Sequence, residues 1–162
     1  TTSLFGRDDR FSEIIYSLLL WSWPLAWLPG GGKMLVQPLW VEDYVHCLIA
    51  TLDRPAMLDR TLELAGNELI SYRQLVSTIL NVTSKQRLML PLPMSLMKLL
   101  SRAFLMWWYW PAVSRYFVDR FFVPDVTALD MVQRHFGFQP ARFRETITYL
   151  NRPGLRWRLF RH

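Results

Sequence analysis

Residues able to do acid–base, nucleophilic or metal chemistry are few in this chain and widely spaced. His46 and Cys47 are neighbours, and on a helix they would point about 100° apart, which suits neither a shared metal ion nor a nucleophile–base pair. With His135 and His162 far off in sequence, packed or solvated histidines are expected. The acidic pairs Asp8–Asp9 and Glu42–Asp43 have structural roles at hand, the first in a loop with Arg7 and Arg10, the second at a helix N-terminus, where the helix dipole favours anions. A phenol acidified by a lysine four residues on would be a general acid–base pair, but Lys33, Lys85 and Lys98 are preceded at that spacing by Pro29, Asn81 and Met94. No G-x-S-x-G elbow is present, and the seven glycines, at 6, 30, 31, 32, 66, 137 and 154, give no G-x-G-x-x-G or G-x-x-x-x-G-K spacing for amides to approach phosphates. No catalytic and no metal-ligating residues are assigned.

Surface chemistry remains. The 162 residues are 51% hydrophobic and 15% aromatic, with eight tryptophans, which excludes a disordered chain and leaves apolar surface to be covered. Residues 142–162 hold six arginines against Glu145 alone, +5 of the net +6, so the basicity belongs to the C-terminal end. There Arg152, Arg156, Arg158 and Arg161 alternate with Trp157 and Phe160, the mixture of cations and apolar anchors used by interfacial segments. A second aromatic group, Trp107, Trp108 and Trp110, lies on an apolar helix. Together these nine residues are the candidate anchor to an anionic lipid surface or a membrane protein complex. Nucleic acid is not the expected partner, because no recognised module accompanies the cations. Cys47 is the lone cysteine, so packing must supply the stability.

The elements that must position these residues read as α/β. Residues 11–23 form an apolar helix stopped at Pro24, too short to span a bilayer, and Gly30, Gly31 and Gly32 then read as a flexible loop. Residues 34–41 read as one strand, followed by a helix over 44–52 with Asp43 as its N-cap. A strand over 61–65, a turn at Gly66–Asn67 and a helix from the Ser71/Gln74 capping box to about Leu80 repeat the pattern. Residues 88–93 are extended, and helices are expected over 95–110, over 126–136 with Gly137 ending it, and over 141–150. The opening SLFG reads as the end of a strand. The expected organisation is one α/β portion over 1–150 and a basic aromatic tail over 151–162.

The order SLFGRDDRF, GGGKMLVQPLWVEDYVHCL, TLELAGNELISYRQLV, LPLP and VPDVTALDMVQRHFGFQPARFRETITYL resembles the C-terminal half of the atypical extended short-chain dehydrogenase/reductases. Within them it is most similar to the group containing the dehydrogenase-like accessory subunit of respiratory complex I and its bacterial relatives. The likeness covers nearly the whole chain and is most specific in FGRDDRF and VQPLWVEDYV.

The resemblance implies the C-terminal part of a Rossmann-type extended fold lacking its N-terminal nucleotide-binding half, which in active relatives brings the glycine loop and the Tyr and Lys. It puts Thr2, Ser3 and Phe5 near the nicotinamide side of the cofactor site and residues 37–41 near the substrate cleft, with no cofactor held by this chain alone and NAD(P)H possible when the other half is present. It also implies an NADPH-holding structural subunit at the membrane shoulder rather than a turnover enzyme. Two readings stay open: a non-catalytic accessory or assembly subunit, peripheral on the cytoplasmic or matrix face of a membrane complex, and the substrate-binding half of an NAD(P)-dependent epimerase or reductase whose catalytic half is absent.

Overall fold

The computed structural model describes residues 2–9, 11–54, 57, 60–93, 95–96 and 126–151. In chain order these form β1 (Leu4–Phe5), α1 (Ser12–Trp21), β2 (Leu25–Pro29), a 3-10 turn (Gly30–Gly32), β3 (Leu35–Val36), β4 (Leu39–Trp40), α2 (Val41–Leu52), β5 (Ile70–Ser71), α3 (Tyr72–Val82), β6 (Leu88–Leu92), α4 (Met131–Phe136), α5 (Phe143–Thr146) and a closing 3-10 turn (Ile147–Asn151). The helix expected over 95–110 lies outside the described residues from 97 onward, and so does the tail from 152.

Among the described residues the strands pair two by two. β1 runs parallel to β4, β2 parallel to β6, and β3 antiparallel to β5. The short β1–β4 pair divides the interior, because alternate residues of a strand point to opposite faces. Phe5 and its partner Trp40 face a large core built with Ile15, Leu19, Leu28, Leu75, Ile79 and Phe143, while Leu4 and its partner Leu39 face a smaller one with Cys47, Leu64 and Val132. Phe5 is fully buried, its ring centroid 5.2 Å from that of Trp40 and 4.9 Å from that of Phe143.

Local signals hold where their partners are local. Ser71 Oγ accepts the amide of Gln74 at 3.2 Å and Gln74 Oε1 accepts the amide of Ser71 at 2.8 Å, so the capping box opens α3, which runs on to Val82. Gly137, with φ 82°, ends α4 in the left-handed conformation that glycine adopts freely.

Elsewhere tertiary contacts override the sequence reading. The strand expected over 34–41 is broken at Gln37 and Pro38 into β3 and β4, which join different sheets, since Pro38 has no N–H to continue a ladder. α2 starts at Val41 rather than after Asp43, whose carboxylate instead accepts the amide of Ala141 at 2.7 Å. Residues 61–65 form no ladder; Leu64 offers its carbonyl to the Thr2 amide at 3.1 Å. β2 is an additional strand, hidden in the sequence between Pro24 and Pro29. The three glycines are no loose loop: a Cβ on Gly32 would lie 3.2 Å from the backbone nitrogen of Arg73, so that glycine lets the start of α3 pack against the turn. α4 begins only at Met131, because Thr127 is tied elsewhere, and the helix expected over 141–150 is a single α turn followed by a 3-10 turn.

Gly66 makes the closest backbone approach, where an added Cβ would sit 1.9 Å from the carbonyl oxygen of Pro38. Gly66→Ala is therefore expected to destabilise the protein by about 2 kcal/mol or more, against about 1 kcal/mol for Ser71→Ala, which removes a cap. Denaturant midpoints of the two variants measure this; a Gly66→Ala midpoint equal to that of the unmodified chain would show that the approach is not tight.

Candidate functional site

The site that the fold builds around β1 and β4 begins with Gln37. Its side chain is fully buried at the break between β3 and β4, and both ends of the amide are used: Nε2 donates to the Gly66 carbonyl at 2.7 Å and Oε1 accepts the Thr127 amide at 2.8 Å. Thr127 Oγ1 in turn donates to Glu63 Oε2 at 2.8 Å. One neutral side chain thus holds the loop at 64–67 and the segment at 126–128 against the strands.

Thr2 and Ser3 meet this frame through their backbone. The Ser3 carbonyl accepts the Leu39 amide at 3.0 Å and the Thr2 amide is bound to Leu64. Thr2 is buried, yet its Oγ1 has no hydrogen-bond partner, and neither has the buried Oδ1 of Asn67, next to the Gly66 that Gln37 holds. Buried oxygens of this kind are normally satisfied by protein, water or a ligand. The pair can accept hydrogen bonds, and the threonine can donate one, but neither side chain is a nucleophile or a base. Of the residues assigned to the cofactor side, Thr2 and Ser3 line this frame, whereas the Phe5 ring is turned into the large core. Trp107, Trp108, Trp110, Arg152, Arg156, Trp157, Arg158, Phe160 and Arg161 lie outside the described residues.

A second polar cluster closes the other side of β1. Asp9 caps α1: its Oδ2 accepts the Ser12 amide at 3.0 Å and its Oδ1 the Ser12 hydroxyl at 2.6 Å. Ser12 Oγ also lies 2.6 Å from the Tyr149 hydroxyl, and since its single proton goes to the carboxylate, the phenol is the donor in that contact. Burial holds the Asp9 carboxyl above its ordinary value despite these hydrogen bonds, and burial, reinforced by the charge of Asp9, drives the Tyr149 phenol far above its ordinary range. Tyr72 is raised by burial as well. A phenol that abstracts protons needs the opposite shift, so the Tyr149–Ser12–Asp9 chain locks the 147–151 turn onto α1 rather than activating a base. The sequence offered no hint of this contact, since 137 residues separate Ser12 from Tyr149.

The remaining reactive groups are kept apart. His46 meets the ring of Phe138 edge-on at 6.3 Å, while Cys47 points into the small core, its thiol pushed up to about 11 by burial and then by Asp43. No cluster of three metal-ligating side chains occurs among the described residues. A cavity of about 710 Å³ lies along α3, lined by Arg73, Arg144, Val82 and Met89 among others.

No family model matches this chain. It is 25% identical over 140 residues to the rat (Rattus norvegicus) protein "NADH dehydrogenase [ubiquinone] 1 alpha subcomplex subunit 9, mitochondrial", covering 86% of this chain and 37% of that protein. Among solved structures it is similar to a GDP-L-fucose synthetase from Naegleria fowleri bound to NADP, at TM-score 0.61 and 17% identity, covering 98% of this chain and 43% of that one. It is likewise similar to an epimerase from Methanothermobacter thermautotrophicus, at TM-score 0.64 and 16% identity, covering 99% and 43%. The chain therefore shares the mixed α/β fold of these two structures, as its sequence motifs implied, and it spans less than half the length of the proteins it matches.

A nicotinamide dinucleotide is the group held by one of these structures, and two glycines of this chain, Gly32 and Gly66, leave no room for a pyrophosphate to approach. Gly32 is filled from behind by Arg73 and Gly66 by Pro38, so the close approaches that glycine permits are taken by the protein's own backbone.

The raised Asp9 carboxyl gives a signed pH dependence. Between its ordinary value of 3.8 and its higher folded value the folded state holds the extra proton, so stability is fully present below the former and falls as pH rises through the latter. Asp9→Asn is expected to flatten that decline in thermal melts taken across the acidic range. A decline of equal slope in the variant would assign it to another group.

Proposed function

We propose that this chain is a non-catalytic accessory or assembly subunit, built on part of a dehydrogenase-type fold and docked on a membrane protein complex of the respiratory complex I kind. The observation that carries this reading is the 25% identity to the rat NADH dehydrogenase subunit over 86% of the chain. In this reading the contact is peripheral, on the matrix or cytoplasmic face; among the described residues no helix is long and apolar enough to cross a membrane. Its anchors are Trp107, Trp108 and Trp110 together with Arg152, Arg156, Trp157, Arg158, Phe160 and Arg161. In this reading NAD(P)H is held by a nucleotide-binding half that packs against this portion, with Thr2, Ser3 and Phe5 on the nicotinamide side of the joint.

Two observations favour a second reading. Both structural relatives are named as enzymes, one of them bound to NADP, and the buried Thr2 hydroxyl lacks a hydrogen-bond partner. The chain would then be the substrate-side half of an NAD(P)-dependent epimerase or reductase. A Tyr-x-x-x-Lys pair and an intact glycine loop on the nucleotide-holding half would decide for the enzyme.

The docked reading predicts the behaviour of the basic end. Each arginine near an anionic surface contributes about 1 kcal/mol and each buried aromatic ring about 1.5–3 kcal/mol. Removing residues 152–162 is expected to release the protein from isolated membranes, and raising the salt should weaken the full chain's attachment, because exposed charges are screened beyond about 8 Å at physiological ionic strength. Equal co-purification of the truncated and full chains at low and high salt would refute the tail as anchor.

A further inference from the structure

Among the described residues the outer face of the β2–β6 pair is apolar and exposed at Trp27 and Leu88. Strands buried on both faces read as unbroken apolar runs, whereas strands with one wet face alternate. LAWLP and LMLPL are unbroken runs. Their inner face is accounted for, since Ala26 and Leu28 are fully buried and Met89 packs on the large core. The outer face carries Leu25 opposite Leu88 and Trp27 opposite Leu90, with Trp27 43% and Leu88 63% exposed.

Two more indoles stand at the same end. Trp21, the last residue of α1, is 60% exposed and Trp23 is 72% exposed. The strands bring Leu88 beside them, because its amide donates to the Pro24 carbonyl at 3.1 Å, and Arg87 Nε donates to the Leu19 carbonyl at 3.4 Å. Arg87 thus sits at the edge of an indole-rich patch, with Lys85 two residues before it in the segment that enters β6. The segments that build it bring no opposing charge, for no Asp or Glu occurs in residues 14–41 or 69–118.

We propose that Trp21, Trp23, Trp27 and Leu88, rimmed by Lys85 and Arg87, form a surface that docks on an anionic lipid bilayer. The chemistry favours lipid over a protein partner. Protein interfaces carry about one hydrogen bond per 100–200 Å², whereas Leu25, Leu88, Leu90 and the three indoles offer only N–H groups, the Ser22 hydroxyl between Trp21 and Trp23 is spent on the Leu25 carbonyl, and the edge adds Gln86 and the two cations. Indoles are the groups that settle at headgroup depth, with the ring in the acyl boundary and the N–H in the wet layer. This deepens the docked reading and rests on it for the membrane alone, since the surface is distinct from the basic tail.

The test uses the full chain with vesicles of phosphatidylcholine, with or without phosphatidylserine, and with bromine-labelled acyl chains. Sedimentation with the phosphatidylserine vesicles and quenching of tryptophan fluorescence by the bromine label are expected. Trp23→Ser combined with Trp27→Ser and Leu88→Ser should reduce partitioning about tenfold or more, the far-ultraviolet circular dichroism staying unchanged because these side chains point outward. Lys85→Glu, which leaves the apolar face intact, should weaken binding to the phosphatidylserine vesicles only. A chain lacking residues 152–162 that still binds, and still loses binding on the Trp23/Trp27/Leu88 substitution, supports this surface even where the tail fails as an anchor. Unchanged partitioning of both substituted variants, no quenching of the full chain, or binding to an acidic protein without binding to vesicles would overturn it.

Discussion

One buried amide holds the frame on which the rest of this structure depends. Gln37 sits where the chain leaves one small sheet for another, and a polar side chain taken fully out of water is tolerable there because both of its ends are satisfied. Removing it would strand the Gly66 carbonyl and the Thr127 amide, each at about 1–3 kcal/mol. Through those two bonds Gln37 sets the position of the loop that receives Thr2 and the residue at which α4 is delayed. The Gly66 approach to Pro38 belongs to the same joint, since the loop can come close enough to be held only because it carries no side chain there.

The same use of single polar side chains fastens residues 141–151. Asp43 holds the Ala141 amide, Glu68 holds the Phe143 amide at 2.5 Å, and the Asp9–Ser12 pair receives Tyr149. The groups that looked reactive in the sequence are in this way committed to structure: one carboxylate caps α1, another ties a distant loop, the thiol is packed, and the buried phenols hold their protons more tightly than usual. Asp9, Asp43, Glu68 and Gln37 are all committed to amides or carbonyls of the protein's own backbone.

What could be read from the sequence follows the range of the interactions involved. The Ser71/Gln74 box and Gly137 act within one helical turn, and the structure keeps both. The α/β class and its family likeness were visible in the motif order, and the fold agrees. Asp43 looked like a cap because its partner, 98 residues away, leaves no mark on the local pattern. β2 was hidden for a similar reason: its partner β6 lies more than 50 residues on, and prolines at 24 and 29 read as breakers. For the candidate site, the motif likeness brought attention to Thr2, Ser3 and Phe5, but only the fold separates the unsatisfied Thr2 hydroxyl from a Phe5 ring that is core. Trp21, Trp23 and Trp27 could not be told from core residues until the sheet gave them a face.

The central claim is that this portion of the fold presents surfaces and does not itself hold a nicotinamide nucleotide. Calorimetric titration of the 162-residue chain with NADPH tests it most directly. The account predicts no saturable heat, because the close approaches at Gly32 and Gly66 are filled by protein and no glycine spacing in the chain suits a pyrophosphate. Saturable binding in the micromolar range, lost on competition with NADP, would contradict it.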